Sequence, residues 1–386
     1  MSDKDYAPLS VARIGVVPQI ATVAKTNAGD NRKLVRVGDF AINSRSDRKG
    51  SCGISELDGS VSLINIILTP RNEWNGRYVH YLLRSQPFSE EYYRNGRGIV
   101  ADLWTTRFCD MKSILLPVPP REEQDQIVRF LEWKVSEINR LINIKRTEIE
   151  RLEELKKAVV SQAVTYRIDG SEYPHIPLKR AFHILDNCRM PIAADKRNQN
   201  SEVLYDYYGA SGAIDKIDGY TIDDDVLLIG EDGANLRLRN LPLIYQVHGK
   251  AWINNHAHIL KPMNFMDYNY SFDMLETLDV NVFITGAAQP KLTQEALRNL
   301  QIIVPPIEQQ RKISAYLGVK CGEINTIIEN KQSQIKVLQE FKTRLISDAV
   351  TGKIDVSDAE IPEYEFVDED TKVEDDAEDF EESEEE

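Results

Sequence analysis

PPREEQDQIVRFLEWKVSEINRLINIKRTEIERLEELKKAVVSQAVTYRID, residues 119–169, has a second copy in the same chain. Residues 305–355 read PPIEQQRKISAYLGVKCGEINTIIENKQSQIKVLQEFKTRLISDAVTGKID. The two align without a gap at an offset of 186, and 22 of the 51 positions are identical, more than two unrelated helices of similar composition would share. A fixed-offset self-match sets the architecture. With so long a period the repeating unit is a domain followed by a helix, not the small module of a solenoid.

Each copy opens with Pro-Pro, which a helix tolerates only at its first turn. Glu122, Glu123 and Glu308 follow, where the helix dipole favours acids. From Arg121 to Tyr166 there is no Pro or Gly. Read as heptads, position a takes Val128, Val135, Ile142, Ile149 and Lys156, and position d takes Leu131, Ile138, Lys145, Leu152 and Val159. The second copy places Ile328, Ile335 and Lys342 at a, and Leu317, Ile324, Lys331, Leu338 and Leu345 at d. A lysine inside such a seam sets register at some loss of stability. A helix of ~45 residues is roughly 65 Å long. It needs a partner helix to cover its apolar stripe. The duplicate is the obvious partner, and two copies related by an approximate twofold would run antiparallel. Val135, Ile138, Ile142, Ile149 and Leu152 are then expected to pair with Leu317, Ile324, Ile328, Ile335 and Leu338. The alternative is that each helix packs into its own domain or onto another protein.

Removing the helices leaves segments of about 118 and 135 residues, each able to hold a core. The expected order is domain 1–118, helix 119–169, domain 170–304, helix 305–354 and an acidic tail 355–386. The fold class is α+β, with two mixed α/β domains alternating with two long helices in an antiparallel coiled coil. Within the domains, strands are expected at Leu34–Val37, Phe40–Asn43, Val61–Leu68, Ser113–Val118, Val203–Tyr208, Asp225–Ile229, Ala251–Leu260 and Leu300–Val304. Helices are expected at Arg77–Tyr93 and Tyr268–Leu278. No 18-residue apolar run suggests a membrane span, and MSDKDYAPLS carries no apolar signal core. Four isolated cysteines (Cys52, Cys109, Cys188, Cys321) point to a reducing cytoplasm and no zinc site.

The net charge of −15 is misleading. From Asp355 onward there are 18 acids and one lysine, and the remainder holds 44 acids against 46 bases. The body can therefore present basic patches. The tail reads as a solvated disordered segment. A DNA mimic and a partner-docking arm are equally open readings of it.

The whole arrangement resembles the specificity subunits of type I restriction–modification systems. The residues that carry the likeness are the PPREEQ and PPIEQQ openings and the SQAVTYRID and SDAVTGKID endings. PLSVARIGVVPQ (8–19), VRVGDFAINSRSDRKG (35–50), LIGEDGA (228–234), NNHAHIL (254–260) and AAQPKLT (287–293) add to it. The resemblance implies two target-recognition domains, each reading half of a split double-stranded DNA sequence, and helices that space the half-sites. It implies two modification subunits that bind S-adenosylmethionine and methylate adenine, and restriction subunits with ATP- and Mg-dependent translocase and nuclease activity. The chain itself is then a non-catalytic subunit without a cofactor of its own. In the family another stretch usually precedes the segment like PLSVARIGVVPQ, so the first domain is expected to lack an opening strand and helix.

Physical reasoning supports the DNA reading. Duplex DNA has local dyads, and a pseudo-twofold protein can set two domains on two half-sites. Arg and Lys would hold phosphates, and a few side chains would read bases. The candidates are Arg45, Arg48, Lys49, Arg94 and Arg97 in the first domain, and Lys196, Arg197, Arg237, Arg239, Lys250 and Lys291 in the second, with Arg32, Lys33, Arg36 and Arg189 in support. Arg237 and Arg239 are expected on one strand face.

The chain has no Asn/Asp-Pro-Pro-Tyr/Phe motif of a methyltransferase and no GxxxxGK[ST] loop. His256 and His258 would share a strand face, yet no third metal ligand is evident, so structural histidines are the plainer reading. Glu231-Asp232 reads as a turn between glycines sooner than a catalytic pair. Trp104 and Trp252 read as core or rim aromatics. Two other functional classes stand beside the DNA reading: a coiled-coil scaffold that binds proteins, and an enzyme with a site near Gly230–Gly233 or His256.

Overall fold

The structure, a computed structural model, describes residues 6–20, 31–45, 48–98, 104–165, 173–193, 197, 203–286 and 290–369. The chain divides into two compact units, Met1–Glu148 with Lys331–Glu386, and Ile149–Asn330. The divide runs through both long helices, so each unit holds a domain with half of each helix.

In the first unit β1 (Leu9–Ala12) and β2 (Gly15–Pro18) form a hairpin, and β3 (Arg32–Val35) pairs antiparallel with β6 (Gly59–Ser62). A three-stranded antiparallel sheet has the order β5 (Cys52–Ile54), β4 (Phe40–Asn43), β7 (Asn65–Leu68). The single strand expected over Val61–Leu68 is thus two, joined at Leu63-Ile64. The expected helix Arg77–Tyr93 is also two, α1 (Gly76–Arg84) and α2 (Gln86–Arg94). The Asn75 carboxamide oxygen caps α1 by accepting from the N–H groups of Arg77 and Tyr78 at 2.8 and 3.2 Å. Ser85 turns extended and Pro87 sits in the first turn of α2, so one continuous helix cannot form. After α3 (Phe108–Met111), Ser113–Val118 makes no strand, contrary to expectation. The core joins Phe40, Ile42, Tyr78 and Leu82 to Ile127, Leu131, Ile138 and Ile142 of α4 (Arg121–Thr165).

In the second unit β8 (His175–Pro177) pairs with β17 (Gln301–Ile303). One sheet has the order β14 (Ile244–Val247), β13 (Val226–Gly230), β16 (Ala257–Pro262), β9 (Phe182–Ile184), all antiparallel. The other runs β11 (Gly212–Ile217), β10 (Tyr205–Gly209), β15 (Lys250–Ile253), β12 (Ile222–Asp223), with β10 and β15 parallel. The expected strand Ala251–Leu260 is divided between β15 and β16 by a turn at Asn255-His256. Arg237 does not lie on a strand. It sits in the short α5 (Asn235–Leu238), and Arg239 follows with φ 52° in the left-handed region. The α6 helix (Tyr268–Glu276) and α7 (Gln294–Asn299) complete the unit with half of α8 (Ile307–Val350). Leu178, Phe182, Leu227, Leu260, Met274 and Leu317 lie in one core.

Within each unit the two long helices run antiparallel. In the first, Glu148 accepts from the Lys331 ammonium at 2.6 Å and the Asn139 carboxamide oxygen accepts from Lys342 at 3.1 Å. In the second, the Lys156 ammonium donates to the Asn325 carboxamide oxygen at 2.9 Å. Lys156 and Lys342 are repeat-related, as are Asn139 and Asn325, so one bond is made twice. Lys156, Lys331 and Lys342 each reach an acceptor at the seam's edge, which lets them occupy core positions. Of the expected pairing residues, Ile138, Ile142, Leu317 and Ile324 are buried, and Val135, Ile149, Leu152, Ile328, Ile335 and Leu338 are half-buried.

Gln124 and Gln310, both buried, explain why the two helix openings match. The Gln124 carboxamide accepts from the Asn75 N–H at 2.8 Å and donates to the carbonyls of Glu73 and Pro119. Gln310 does the same with the Asp267 N–H at 2.7 Å and the carbonyls of Phe265 and Pro305. Each glutamine clamps the cap of a domain helix to the start of a long helix.

The expected acidic tail is ordered over its first part. Gln126 donates to the carbonyls of Val356 and Ala359, Ser136 to Glu365, Asn139 to Val367, Asn143 to Asp368 and Arg146 to Glu369. Val356 and Val367 are buried. This strap covers a second face of α4 and is gripped by its main chain; its acids from Asp355 to Asp368 are exposed, and Glu369 turns in to pair with Lys342 at 2.7 Å. Residues 370–386 lie outside the described residues.

Candidate nucleic-acid interface

In the first unit the loop after β4 gathers the cationic candidates. The Asn43 side chain accepts from the Arg45 N–H at 3.1 Å, holding the chain in an Asx turn as it leaves the strand. Arg45 and Arg97 then flank Thr105 in two backbone bridges, so segments far apart in sequence meet. Lys49 lies 5.2 Å from the centre of the Tyr93 ring, within cation–π range. Arg84 binds the carbonyls of Cys52 and Arg13. A cleft beside them is lined by Arg45, Lys49, Arg84, Ser89 and Tyr93. Arg45, Arg48 and Lys49 are exposed. Arg94 and Arg97 pair with Glu91 at 2.9 Å and Asp110 at 3.2 Å, but both remain largely exposed, at 74% and 81%. Arg13 and Arg84 were missed by sequence reasoning because neither stands in a basic run. Only the packing of β2 and α1 against β5 brings them here.

In the second unit most candidates are committed elsewhere. Arg197 is only 15% exposed, binds Asp215 at 2.7 Å and stacks 4.1 Å from the centre of the Tyr207 ring. Arg239 donates to the Glu276 carbonyl at 2.6 Å. Lys291 pairs with Glu231 at 2.9 Å, and Arg189 pairs with the same carboxylate. Lys250 is exposed and lies 4.6 Å from the centre of the Tyr220 ring. Arg237 is exposed and donates to the Gly286 carbonyl at 3.2 Å. Lys196 lies outside the described residues. Of the supporting basic residues, Arg32 donates to the Ser60 carbonyl and Lys33 to that of Asn65.

The Glu231-Asp232 turn and the two histidines form one polar network. His258 is buried and uses both ring nitrogens, Nδ1 with Asp186 at 2.7 Å and Nε2 with the Leu292 carbonyl at 2.8 Å. Burial raises the Asp186 pKa, but bonds from His258, Gln294 and the Ile259 N–H outweigh it and hold the carboxyl below the usual range. Burial likewise raises that of Glu231, and Lys291 and Arg189 more than offset it. The Glu231 N–H donates to the His256 carbonyl, its own carbonyl accepts from Leu292, and Gly233 donates to Pro290. His256 faces Asp232 at 2.8 Å and is half exposed. The network ties together the loops at 186–189, 231–233, 254–258 and 290–294. That is a brace for a loop-built surface. Among the described residues no group of three or more His, Cys, Asp or Glu is placed to hold a metal. Asp186, the hub of the brace, carries no sequence signal of its own. Trp252 donates to the Met190 carbonyl at 2.7 Å, and Trp104 packs on Tyr93.

Residues 172–337 match the family model of the type I restriction modification DNA specificity domain. Over 146 residues, 38% of this chain, the sequence is 31% identical to a type I restriction enzyme specificity subunit of Haemophilus influenzae. It is 28% identical over 126 residues, 33% of the chain, to the type I restriction enzyme EcoprrI specificity subunit of Escherichia coli. The matches span 37% and 30% of those two relatives. The fold is that of a chain in a solved type I R-M system, with TM-score 0.65 at 16% identity, over 89% of this chain and 88% of that one. No helix among the described residues is long and apolar enough to cross a membrane.

Proposed function

We infer, for a chain whose residues 172–337 match the type I restriction modification DNA specificity domain, that it selects the DNA target of a type I restriction–modification complex. The observation that carries this reading is the duplicated frame. The Lys–Asn bond made once in each unit by repeat-related residues, and the clamp made twice by Gln124 and Gln310, give two domains on equivalent mounts. Two such domains would read the two halves of a split sequence, with the paired helices setting the gap. The first would use the Arg45–Lys49 loop with Arg97, the second Arg237 and Lys250 on a surface braced by Asp186 and Glu231.

The chain acts without catalysis of its own in this reading, in the cytoplasm. Methylation of adenine belongs to two modification subunits with S-adenosylmethionine, and cleavage to restriction subunits with ATP and Mg. The outer faces of the helices suit two like partners, because exposed apolar residues recur at repeat-related sites. Leu141 and Ile327 are 48% and 44% exposed, and Leu155 and Phe341 are 51% and 52% exposed. Exposed large side chains at matched positions are what a repeated interface needs.

The test is methylation mapping. The chain is expressed with its modification subunit in a methylation-free host and modified adenines are read genome-wide. A two-part motif with a fixed gap is expected. A soluble complex that methylates nothing would overturn the reading.

A further inference from the structure

The basic loop of the first unit is held from outside itself. Arg84, the last residue of α1, uses its guanidinium on the main chain of two other segments. Nη1 donates to the Cys52 carbonyl on β5, and Nη2 to the Arg13 carbonyl in the β1–β2 turn, the latter at 2.7 Å. Arg13 carries the contact further, since its Nε donates to the Lys49 carbonyl at 3.3 Å. Lys49 in turn lies 5.2 Å from the centre of the Tyr93 ring on α2. A chain of contacts thus runs from α1 through a hairpin turn to the loop and on to α2. One turn before Arg84, His80 accepts the Ile54 N–H, so α1 fixes β5 at two successive places. Gly53 permits this close assembly. A Cβ there would stand 3.2 Å from the Gly15 Cα and would press the hairpin away from β5.

We propose that Arg84 is a positioning residue for DNA binding by the first domain. Acting through Arg13, it sets where Lys49 meets a phosphate, and it touches no DNA itself. The proposal rests on the reading of the Arg45–Lys49 loop as a phosphate-holding loop. Arg84 is half-buried, and both arms of its fork are taken by carbonyls. A planar guanidinium can hold two carbonyls at once, whereas a lysine ammonium on its flexible stem is a single point charge. The Arg13 link works in the same way, with its Nε on a carbonyl of the loop. A lysine on a free loop loses much of the value of a phosphate contact to the entropy of ordering its backbone and side chain. Here Arg13 fixes the backbone of Lys49 and the Tyr93 ring attracts its ammonium. Much of that ordering is complete before DNA arrives, which is the gain from a preorganised contact.

The experiment is a salt series of binding by the full chain, in its complex with the modification subunit, to the two-part DNA site found by methylation mapping. Arg84→Lys keeps every charge but satisfies at most one of the two carbonyls. It should lower the slope of log affinity against log salt by about 1, as Lys49→Ala does. In the Lys49→Ala background it should lower the slope no further, because residues that act as one unit are not additive. A residue that only supported the fold would lower the thermal midpoint and leave the slope alone. Arg13→Lys puts a methylene where the Nε donor stands, at an exposed turn, and should give the same loss of slope. It carries the test if the Arg84→Lys chain does not fold. A parental slope in the folded variant, where Lys49→Ala lowers it, overturns the proposal alone, and so do additive losses in the double variant. A slope that Lys49→Ala leaves unchanged overturns the reading of the loop, and the proposal with it.

Discussion

His80 shows how one side chain can set a pH limit. Its Nδ1 accepts the Ile54 N–H at 3.3 Å, which a doubly protonated ring cannot do. Burial, with Arg84 and Arg77 nearby, pulls its pKa down to about 3. The folded value lies below the unfolded one. The stabilisation is therefore complete above pH ~6.5 and is lost as pH falls towards 3. At pH 5 the first unit should be weaker by about 2 kcal/mol than at pH 7.5. His80→Gln should flatten that dependence in thermal melts at the two pH values. An equal acid loss in the variant would rule the mechanism out. Arg77 and Arg84 are its i−3 and i+4 neighbours on α1 and were legible as such, but nothing in the sequence marked His80, because β5 meets it only in the fold. Gln124 and Gln310 were different. Their matched positions were visible, but the double bonding of each carboxamide needed the domain helix beside it.

Among the elements, the heptads were legible because a seam writes its spacing directly into the chain. The elements that differ from expectation failed for local reasons: Ser85-Gln86-Pro87 splits one helix, and the turns at Leu63-Ile64 and Asn255-His256 split two strands. The acidic tail misled because composition reports side chains, while α4 grips the strap by its carbonyls. Truncation after Asp370 should leave the first unit's stability unchanged. Truncation after Ile354 should weaken it by about 2–4 kcal/mol, through exposure of Val356 and Val367's berths and unpaired Ser136 and Asn139. Chemical denaturation of the two truncations compares them directly, and equal midpoints would mean the strap only decorates α4. The seam has its own test. Ile142 is fully buried and Ile328 half-buried, so Ile142→Asp with Ile328→Asp should part the helices, cost about 3–5 kcal/mol and abolish methylation. Normal methylation by the double variant would refute a paired seam.

For the molecule as a whole, charge is divided unevenly along the chain. The body is close to neutral, and the exposed cations of the Arg45–Lys49 loop and of Arg237 and Lys250 can act locally. The C-terminal stretch opposes them. Removing residues 371–386 takes away ten acids and one lysine. If those charges compete with phosphates for the basic loops, the truncated chain in its complex should bind target DNA more tightly at low salt. The advantage should fade towards 1 M salt, where the Debye length is about 3 Å. Arg45→Ala with Lys49→Ala should act in the other direction, lowering the slope of log affinity against log salt by up to about 2. Both variants leave the strap and the seam intact, so a titration series at several salt concentrations separates charge from folding. A truncation effect that persists at high salt would mean the stretch acts through a specific contact. A slope untouched by the double alanine would place the phosphates elsewhere in the first unit.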